Sequence, residues 1–458
     1  MAKLVIGTSK SVVVPAIVRE VAPTLYREFM LDANGVLEPS TTTTHIIDFT
    51  GMKDVSAFAL TYAYKNNISI SGSVDMSDLT SLSNSNSCNQ MFYGCTGITS
   101  VNLSGLTTVS GNSACVSMFR DCTGLTSVDL SSLTTVSSYQ GCQYMFQGCT
   151  GLISADLSSL TTVSGQSACQ YMFQSCTHLT SVDLSSLQSP GFCDYMFDGC
   201  TGLTTVNLSS LRSGCSYLFN GCTGLTTIDL SSLTSYGLGD NMFNGCTGLT
   251  TVNLSNLTEL TPGRSSGQST FKNCTSLTTV DLSSLTTLSN QYACNMMFQG
   301  CTSLTALDLC SVSTIIGASA CQNMFKGCTS LTRVSFYALT PSSFGTRTTQ
   351  FDNMLSGVTG CTVHFPMAIQ GTIGSWASVT GGFGGTNTTV LFDIVTSLTG
   401  ADSNTYTRKQ KESTSTATAW TYNDTLYYTS GTTEPTVGAT IYSDSACTTA
   451  VTTISSIA

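Results

Sequence analysis

Residues 142–160 read CQYMFQGCTGLISADLSSL, and nearly the same words return along the middle of the chain. Cys115 to Leu133 is CVSMFRDCTGLTSVDLSSL, and Cys294 to Val312 is CNMMFQGCTSLTALDLCSV. Each copy has two parts. C-x-x-M-F-x-x-C sets Cys, Met, Phe and Cys at i, i+3, i+4 and i+7, which predicts one apolar stripe on a two-turn helix. L-T-x-V-D-L-S-S-L alternates apolar and polar residues, which predicts a strand with one buried face. A short helix, a turn and a short strand cannot bury their apolar faces alone, so the copies are expected to stack.

The Asp of V-D-L recurs at Asp48, Asp75, Asn102, Asp129, Asp156 and Asp183 with a constant step of 27 residues. The column continues through Asn207, Asp229, Asn253, Asp281, Asp308 and Ser335 at steps of 22 to 28, and a degenerate copy follows at Val363-His364-Phe365. Thirteen strands at roughly 4.8 Å spacing make a stack about 60 Å long. Length varies only between a strand and the next helix. Pro190 and Pro262, the only prolines between residues 45 and 340, fall in those loops, where they remove no ladder hydrogen bond.

This places a solenoid over residues 45–366. Residues 1–44 do not fit the repeat and read as an N-terminal cap or attachment segment, with strands over 4–6 and 12–17 and a short helix over 24–31. Residues 367–395 read as a C-terminal cap, with a helix over 368–379 that holds Trp376 and a strand over 389–394. Residues 396–458 turn rich in Thr, Ser and Tyr. Their alternating runs at 419–422, 426–429 and 440–442 predict a small β domain.

Only 9% of residues are charged, well under the usual quarter, and the net charge is −10. With a pI of about 4.6 the chain offers no basic surface for nucleic acid or anionic membrane. No apolar run approaches the roughly 18 residues of a membrane span, and the N-terminus makes a poor signal peptide. Eight of the cysteine pairs are seven residues apart, such as Cys142 and Cys149. On a helix that is roughly 10 Å, too far for a disulfide. Gly239 and Gly267 replace the first Cys in two repeats. The 21 cysteines therefore read as small buried apolar residues in columns, with disulfides between adjacent repeats as the minor alternative. Zinc is disfavoured by the absence of C-x-x-C and by only three histidines.

L-x-x-V-x-L-x-x-L resembles the leucine-rich repeat, and M-F-x-x-C-x-x-L-x-x-V-D-L-S resembles its BspA-like (Treponema-type) class over about residues 45–366. The resemblance implies an α/β solenoid: a right-handed superhelix with a parallel sheet on one face and short helices on the other. It also implies adhesion or recognition more than catalysis. The Asn usual after the third apolar residue of the leucine-rich repeat is here Leu or Val, a departure from the commonest class. The start, MAKLVIGTSKSVVVPAIVRE, and the tail around Tyr427-Tyr428-Thr429-Ser430 resemble segments of gut-bacteriophage fibre and virion proteins. That implies a fibre or head-decoration protein on the virion surface, assembled in the host cytoplasm, which agrees with unpaired cysteines. A bacterial cell-surface adhesin of the same fold is the alternative. The implied partners are other virion proteins, through either terminal segment, and a host surface protein or glycan. A homo-oligomer is left open. No nucleic acid, membrane insertion or cofactor is expected.

His45, His178 and His364 lie in separate repeats, and no Ser-His-Asp grouping, phosphate loop or metal-ligand spacing appears. We assign no catalytic residue and no metal ligand, and keep a glycan-active enzyme only as a control reading. Two surfaces are candidates for binding. One is the acidic column of Asp129, Asp156, Asp183, Asp229, Asp281 and Asp308, flanked by Ser and Thr. Carboxylates about 5 Å apart repel one another, so moderately raised pKa values are expected, relieved by a cation or a hydroxyl-rich ligand. Calcium needs six to eight oxygens on one ion, which a flat row does not easily supply. The other surface is Tyr144, Tyr171, Tyr195 and Tyr217, each preceding the Met of its repeat, or Leu218 in the last. On a helix this position lies roughly 160–200° from the apolar stripe and faces outward. The rings make a contact patch for sugar or protein, or simply cover each other and the backbone. The acidic column runs nearly the whole stack and the tyrosines only four repeats, so a local cause slightly favours the tyrosines.

Overall fold

The computed structural model describes residues 29–31, 37–39, 47–48, 53–55 and 60–457, apart from 188–191, 213, 235–237, 261–266, 310, 344–349, 367–368, 371–382, 395–396, 409–416, 423–424, 431–434, 436–438 and 444. The strands expected over 4–6 and 12–17, both loop prolines and Trp376 lie outside the described residues. The helix expected over 24–31 is contradicted at its end, where Phe29–Leu31 is a strand paired antiparallel with Leu37–Pro39. The chain forms two compact units, Met1–Ser232 with Gly239–Leu249, and Leu233–Leu238 with Thr250–Ala458.

In the first unit, Ile47–Asp48, Ser71–Asp75, Gly97–Asn102, Ser127–Asp129, Ser154–Ala155, Ser181–Asp183 and Thr205–Asn207 form one parallel sheet in chain order. Register follows the repeat: Ser127 pairs with Ser154 and Ser154 with Ser181. Val128, Ala155 and Val182 are buried between exposed or half-buried neighbours, the alternation read from V-D-L. A second parallel sheet, not foreseen, comes from the T-V pair after S-S-L: Ser81–Leu82, Thr108–Val109, Thr135–Val136 and Thr162–Val163. Two-residue strands are too short to show a period of two in the sequence. They are tied by threonine hydroxyls as well as backbone: Thr107, Thr134 and Thr161 each donate through Oγ1 to the carbonyl one coil earlier, at 3.0, 3.1 and 3.1 Å.

Among the described residues of the repeats the short helices do not form. Across C-x-x-M-F-x-x-C every fourth residue takes a left-handed backbone, with φ of 54° at Gln140, 58° at Tyr144 and 71° at Gly148. Amide bonds alternate in direction. Met145, Gln147 and Cys149 close four-residue turns onto Cys142, Tyr144 and Phe146. Cys142, Tyr144, Phe146 and Gly148 instead donate to the next coil, at Ala168, Gln170, Met172 and Gln174. A helix would satisfy its amides internally and leave this side of the coils joined by side chains alone. The turn ladder spends half of them between coils, each such bond contributing about 0.5–1.5 kcal/mol and offsetting the left-handed residues. Inward positions are the same in both geometries, because periods of 3.6 and 4 cannot be told apart over eight residues.

The inward side chains form ladders. Phe92, Phe119, Phe146, Phe173, Phe197, Phe219 and Phe243 stack nearly parallel with centroids 5.2–5.5 Å apart, and all are fully buried. Beside them, Cys122, Cys149 and Cys176 each point Sγ at the Phe carbonyl of the preceding coil, at 3.1, 3.0 and 3.2 Å. These cysteines are thus more than small apolar fillers, since each thiol adds a second donor to a carbonyl that already closes a turn within its own coil. All twenty described cysteines are free thiols.

The second unit continues the pattern. Thr251–Asn253 pairs with Thr279–Asp281, and Ala306–Leu309, Arg333–Phe336, Thr362–Pro366 and Thr389–Ile394 follow as a parallel four-stranded sheet. A strand stands at each of the thirteen positions read from the sequence, and the strand expected over 389–394 is present. Toward the C-terminus, Ser397–Gly400, Thr405–Arg408, Ala417–Tyr422, Thr425–Ser430, Thr440–Tyr442 and Ala450–Ile457 form a closed antiparallel barrel. Its core is Tyr406, Trp420, Ile441 and Ile454, and Trp420 Nε1 donates to Thr429 Oγ1 at 3.0 Å.

Candidate functional site

The sheet face of the first unit carries a trough of about 810 Å³, lined by alternating hydroxyls and carboxylates such as Ser127, Asp129, Ser154, Asp156, Ser181 and Asp183. Parallel in-register pairing puts one Ser and one Asp or Asn on this face in every coil. The Asp column also has a local duty. Oδ1 of Asp129, Asp156 and Asp183 accepts from the backbone N–H two residues on, at 3.0, 3.0 and 2.9 Å. Asp229 and Asp281 do the same toward Ser231 and Ser283. This Asx turn ends the strand and needs one acceptor oxygen, which is why Asn serves equally at 102, 207 and 253. The turn and the Ser131 and Ser158 hydroxyls use Oδ1 of Asp129 and Asp156, both of which line the trough.

The raised pKa expected for this column is reversed at Asp156. The hydroxyl of Ser158, 2.7 Å from Oδ1, and the Ser158 amide hold its carboxyl below the usual value, outweighing burial. Local hydrogen bonds to the charged form prevail over repulsion along an exposed row. Asp308 is different again, paired with Arg333 at 2.9 Å. Asp281 and Asp308 belong to the second unit, so the six aspartates are not one site.

The tyrosines come together as a ladder. Centroids of Tyr144, Tyr171, Tyr195 and Tyr217 are 4.9, 4.8 and 4.4 Å apart and the rings lie within 17° of parallel. Each is half-buried and has a left-handed backbone. Gln90, Ser117 and Asn241 share that backbone at the same position, so it belongs to the turn and not to the tyrosines. Stacking covers the ring faces and leaves edges and hydroxyls outward. Burial, then the neighbouring phenols, pushes Tyr195 up to about 12, which keeps the hydroxyl a donor.

Sequence reading missed the ladder's cationic extension. Arg120 is sandwiched at 5.5 Å from both Tyr93 and Tyr144, and Lys65 lies 5.2 and 4.9 Å from Tyr62 and Tyr93. Tyr93 and Arg120 directly follow the Phe, three residues on from the position the tyrosines occupy, and they meet the ladder from neighbouring coils. Among the histidines, His178 Nδ1 lies 2.6 Å from the Thr150 carbonyl and His364 sits in Thr362–Pro366, while His45 is outside the described residues. Among the described residues no three His, Cys, Asp or Glu side chains group as a metal site.

A model of the BspA type leucine rich repeat region, in six copies, matches residues 61–186, 168–293 and 261–350. No curated protein matches the chain. Among solved structures, a leucine rich cell surface protein from Faecalibacterium prausnitzii is similar at 16% identity over 81% of this chain and 95% of that one, with a TM-score of 0.29. A leucine-rich repeat protein from Eubacterium ventriosum aligns at 16% identity over 72% and 86%, with a TM-score of 0.34. A T. pallidum leucine rich repeat protein aligns at 15% over 58% and 88%, with a TM-score of 0.24. The family match spans well over half of the sequence, and the chain belongs to the BspA-type leucine-rich repeat family.

Proposed function

We propose that this chain is a non-enzymatic recognition protein whose sheet-face trough binds an extended, hydroxyl-rich polymer of the glycan class. The observation that carries this reading is the repetition of one hydroxyl and one carboxylate or amide per coil along a single trough. A linear ligand meets the same donors and acceptors at each step, so affinity grows with the number of coils spanned. The tyrosine ladder is the weaker candidate for sugar, because stacking on a ring needs an open face and these faces are covered.

The test is a triple variant, Asp129→Asn, Asp156→Asn and Asp183→Asn, which keeps every Asx turn. Glycan-array or cell binding should fall at least roughly tenfold, and any charged contact there should weaken with salt. Unchanged binding of the triple variant, or loss on replacing the four tyrosines with Ser, moves recognition off the sheet face.

The setting we propose is the outer surface of a phage particle, with residues 1–44 and 396–458 as attachment or multimerisation segments around the solenoid and its 367–395 cap. The resemblance of both ends to phage fibre segments supports it. The second reading, a bacterial cell-surface adhesin, is supported by family membership. Mass spectrometry of purified particles against surface-shaved cells separates the two.

A further inference from the structure

The ladder surface of the first unit changes sign along its length. The column after each Phe holds Lys65, Tyr93 and Arg120 in the early coils, then Gln147 and Gln174, then Asp198. Arg120 has Asp121 3.6 Å from Nε, and that Nε makes no hydrogen bond among the described residues. Asp198 accepts from Gln174 Nε2 at 2.6 Å and from Asn220 Nδ2 at 2.7 Å, both neutral donors. Between the two charges stand the stacked, half-exposed rings of Tyr144 and Tyr171.

Arg120 lies one coil before Tyr144 and Asp198 one coil after Tyr171, both at the position after the Phe; the guanidinium leans into the tyrosine stack and the carboxylate stands in the amide ladder beside it. A two-fold axis lying in this surface and crossing between Tyr144 and Tyr171 exchanges those coils. It sets Tyr144 of one copy against Tyr171 of the other and Arg120 of each against Asp198 of the other. We propose that two copies of this chain pair antiparallel through the ladder in this way.

An isologous contact requires one surface to complement itself, and a surface with opposite charges placed symmetrically about its centre does so. The parallel arrangement, with the axis along the coil stack, would face Arg120 with Arg120 and Asp198 with Asp198, a repulsive pairing. Stacked rings are already held in place, so burying their edges costs little further side-chain entropy. Tyr and Arg are the residues enriched in interface anchors. From the Tyr62 coil to the Tyr217 coil the surface runs roughly 29 Å, the dimension of a standard patch of about 800 Å² per partner.

The experiment is sedimentation equilibrium of the full chain at micromolar concentration, in about 50 mM and about 500 mM salt. The expected result is a dimer that weakens with salt. Arg120→Glu and Asp198→Lys should each raise the dimer Kd by roughly tenfold or more. The double variant Arg120→Glu/Asp198→Lys should return to within about threefold of wild type, because the exchanged charges meet again across the axis. Within one chain the two sites are three coils, roughly 14 Å, apart, so the restoration is intermolecular. Asp198→Asn, which keeps an acceptor for the amide ladder, should weaken the dimer with little change in melting. A monomer at every concentration overturns the proposal. So does a dimer indifferent to both single swaps, or one weakened by both and not restored by the double variant.

Discussion

Asp156 has two places in the structure: its Oδ1 closes the Asx turn, and the residue lines the trough. Asp156→Asn keeps the first and should change stability by less than about 0.5 kcal/mol, whereas Asp156→Ala should cost about 0.5–1.5 kcal/mol in urea unfolding. Since the folded carboxyl is held below its ordinary 3.8, the stabilisation is complete above that pH and lost as pH falls beneath it. The Ala variant should therefore converge with wild type in acid. The thiols titrate in the opposite sense. Burial lifts Cys200 and Cys246 from an ordinary 9.0 to about 12. The unfolded chain ionises above 9 while the folded one keeps its protons. Stability is full below 9 and falls as pH rises toward 12, by about 1.4 kcal/mol per pH unit for each such thiol. A urea midpoint that does not drop between pH 8 and pH 10 would mean the cysteine columns are not buried. A thiol count on unfolded, unreduced protein should find nearly all 21 cysteines free.

At the scale of the element, the turn ladder replaces a helix with the same inward pattern. Far-UV circular dichroism should show β and turn signal with almost no helical double minimum. Phe146 sits between Phe119 and Phe173 at 5.5 and 5.3 Å, and Phe146→Ala should cost about 3–5 kcal/mol. Hydrogen exchange should then speed up in the coils on either side, because each supports the next. Gly148→Ala is a sharper probe of the turn itself. The residue has φ +71°, and a Cβ there would meet the Asp121 carboxylate. The substitution should cost about 1–3 kcal/mol, although on a helix it would have been favourable.

For the whole molecule, the barrel has its own core of Tyr406, Trp420, Ile441 and Ile454 and closes its sheet on itself. Removing residues 396–458 should leave the repeat region folded, with a cooperative melt, if that segment is the attachment module proposed above. Loss of the melt would make the barrel part of the solenoid's stability. The proposed dimer would carry two troughs, which raises avidity for a surface that presents the polymer in many copies, without any new contact to it.

The sequence by itself determined the repeat, its register and its inward residues. A step of 27 with V-D-L and M-F-x-x-C in phase leaves one way to stack the apolar positions, and the strands appear where that step puts them. It determined the tyrosine column too, though not its geometry. The tertiary structure decided how the backbone between inward residues is bonded. An amide can close a helix or reach the next coil, and only the neighbouring coil's carbonyls, set in register, favour the turn over the helix. From that choice follow the covered faces of Tyr144 to Tyr217 and the placing of Arg120 against Tyr93 and Tyr144. The Asx turn that occupies one oxygen of each trough aspartate was likewise invisible beforehand, because it depends on how the strand ends in space.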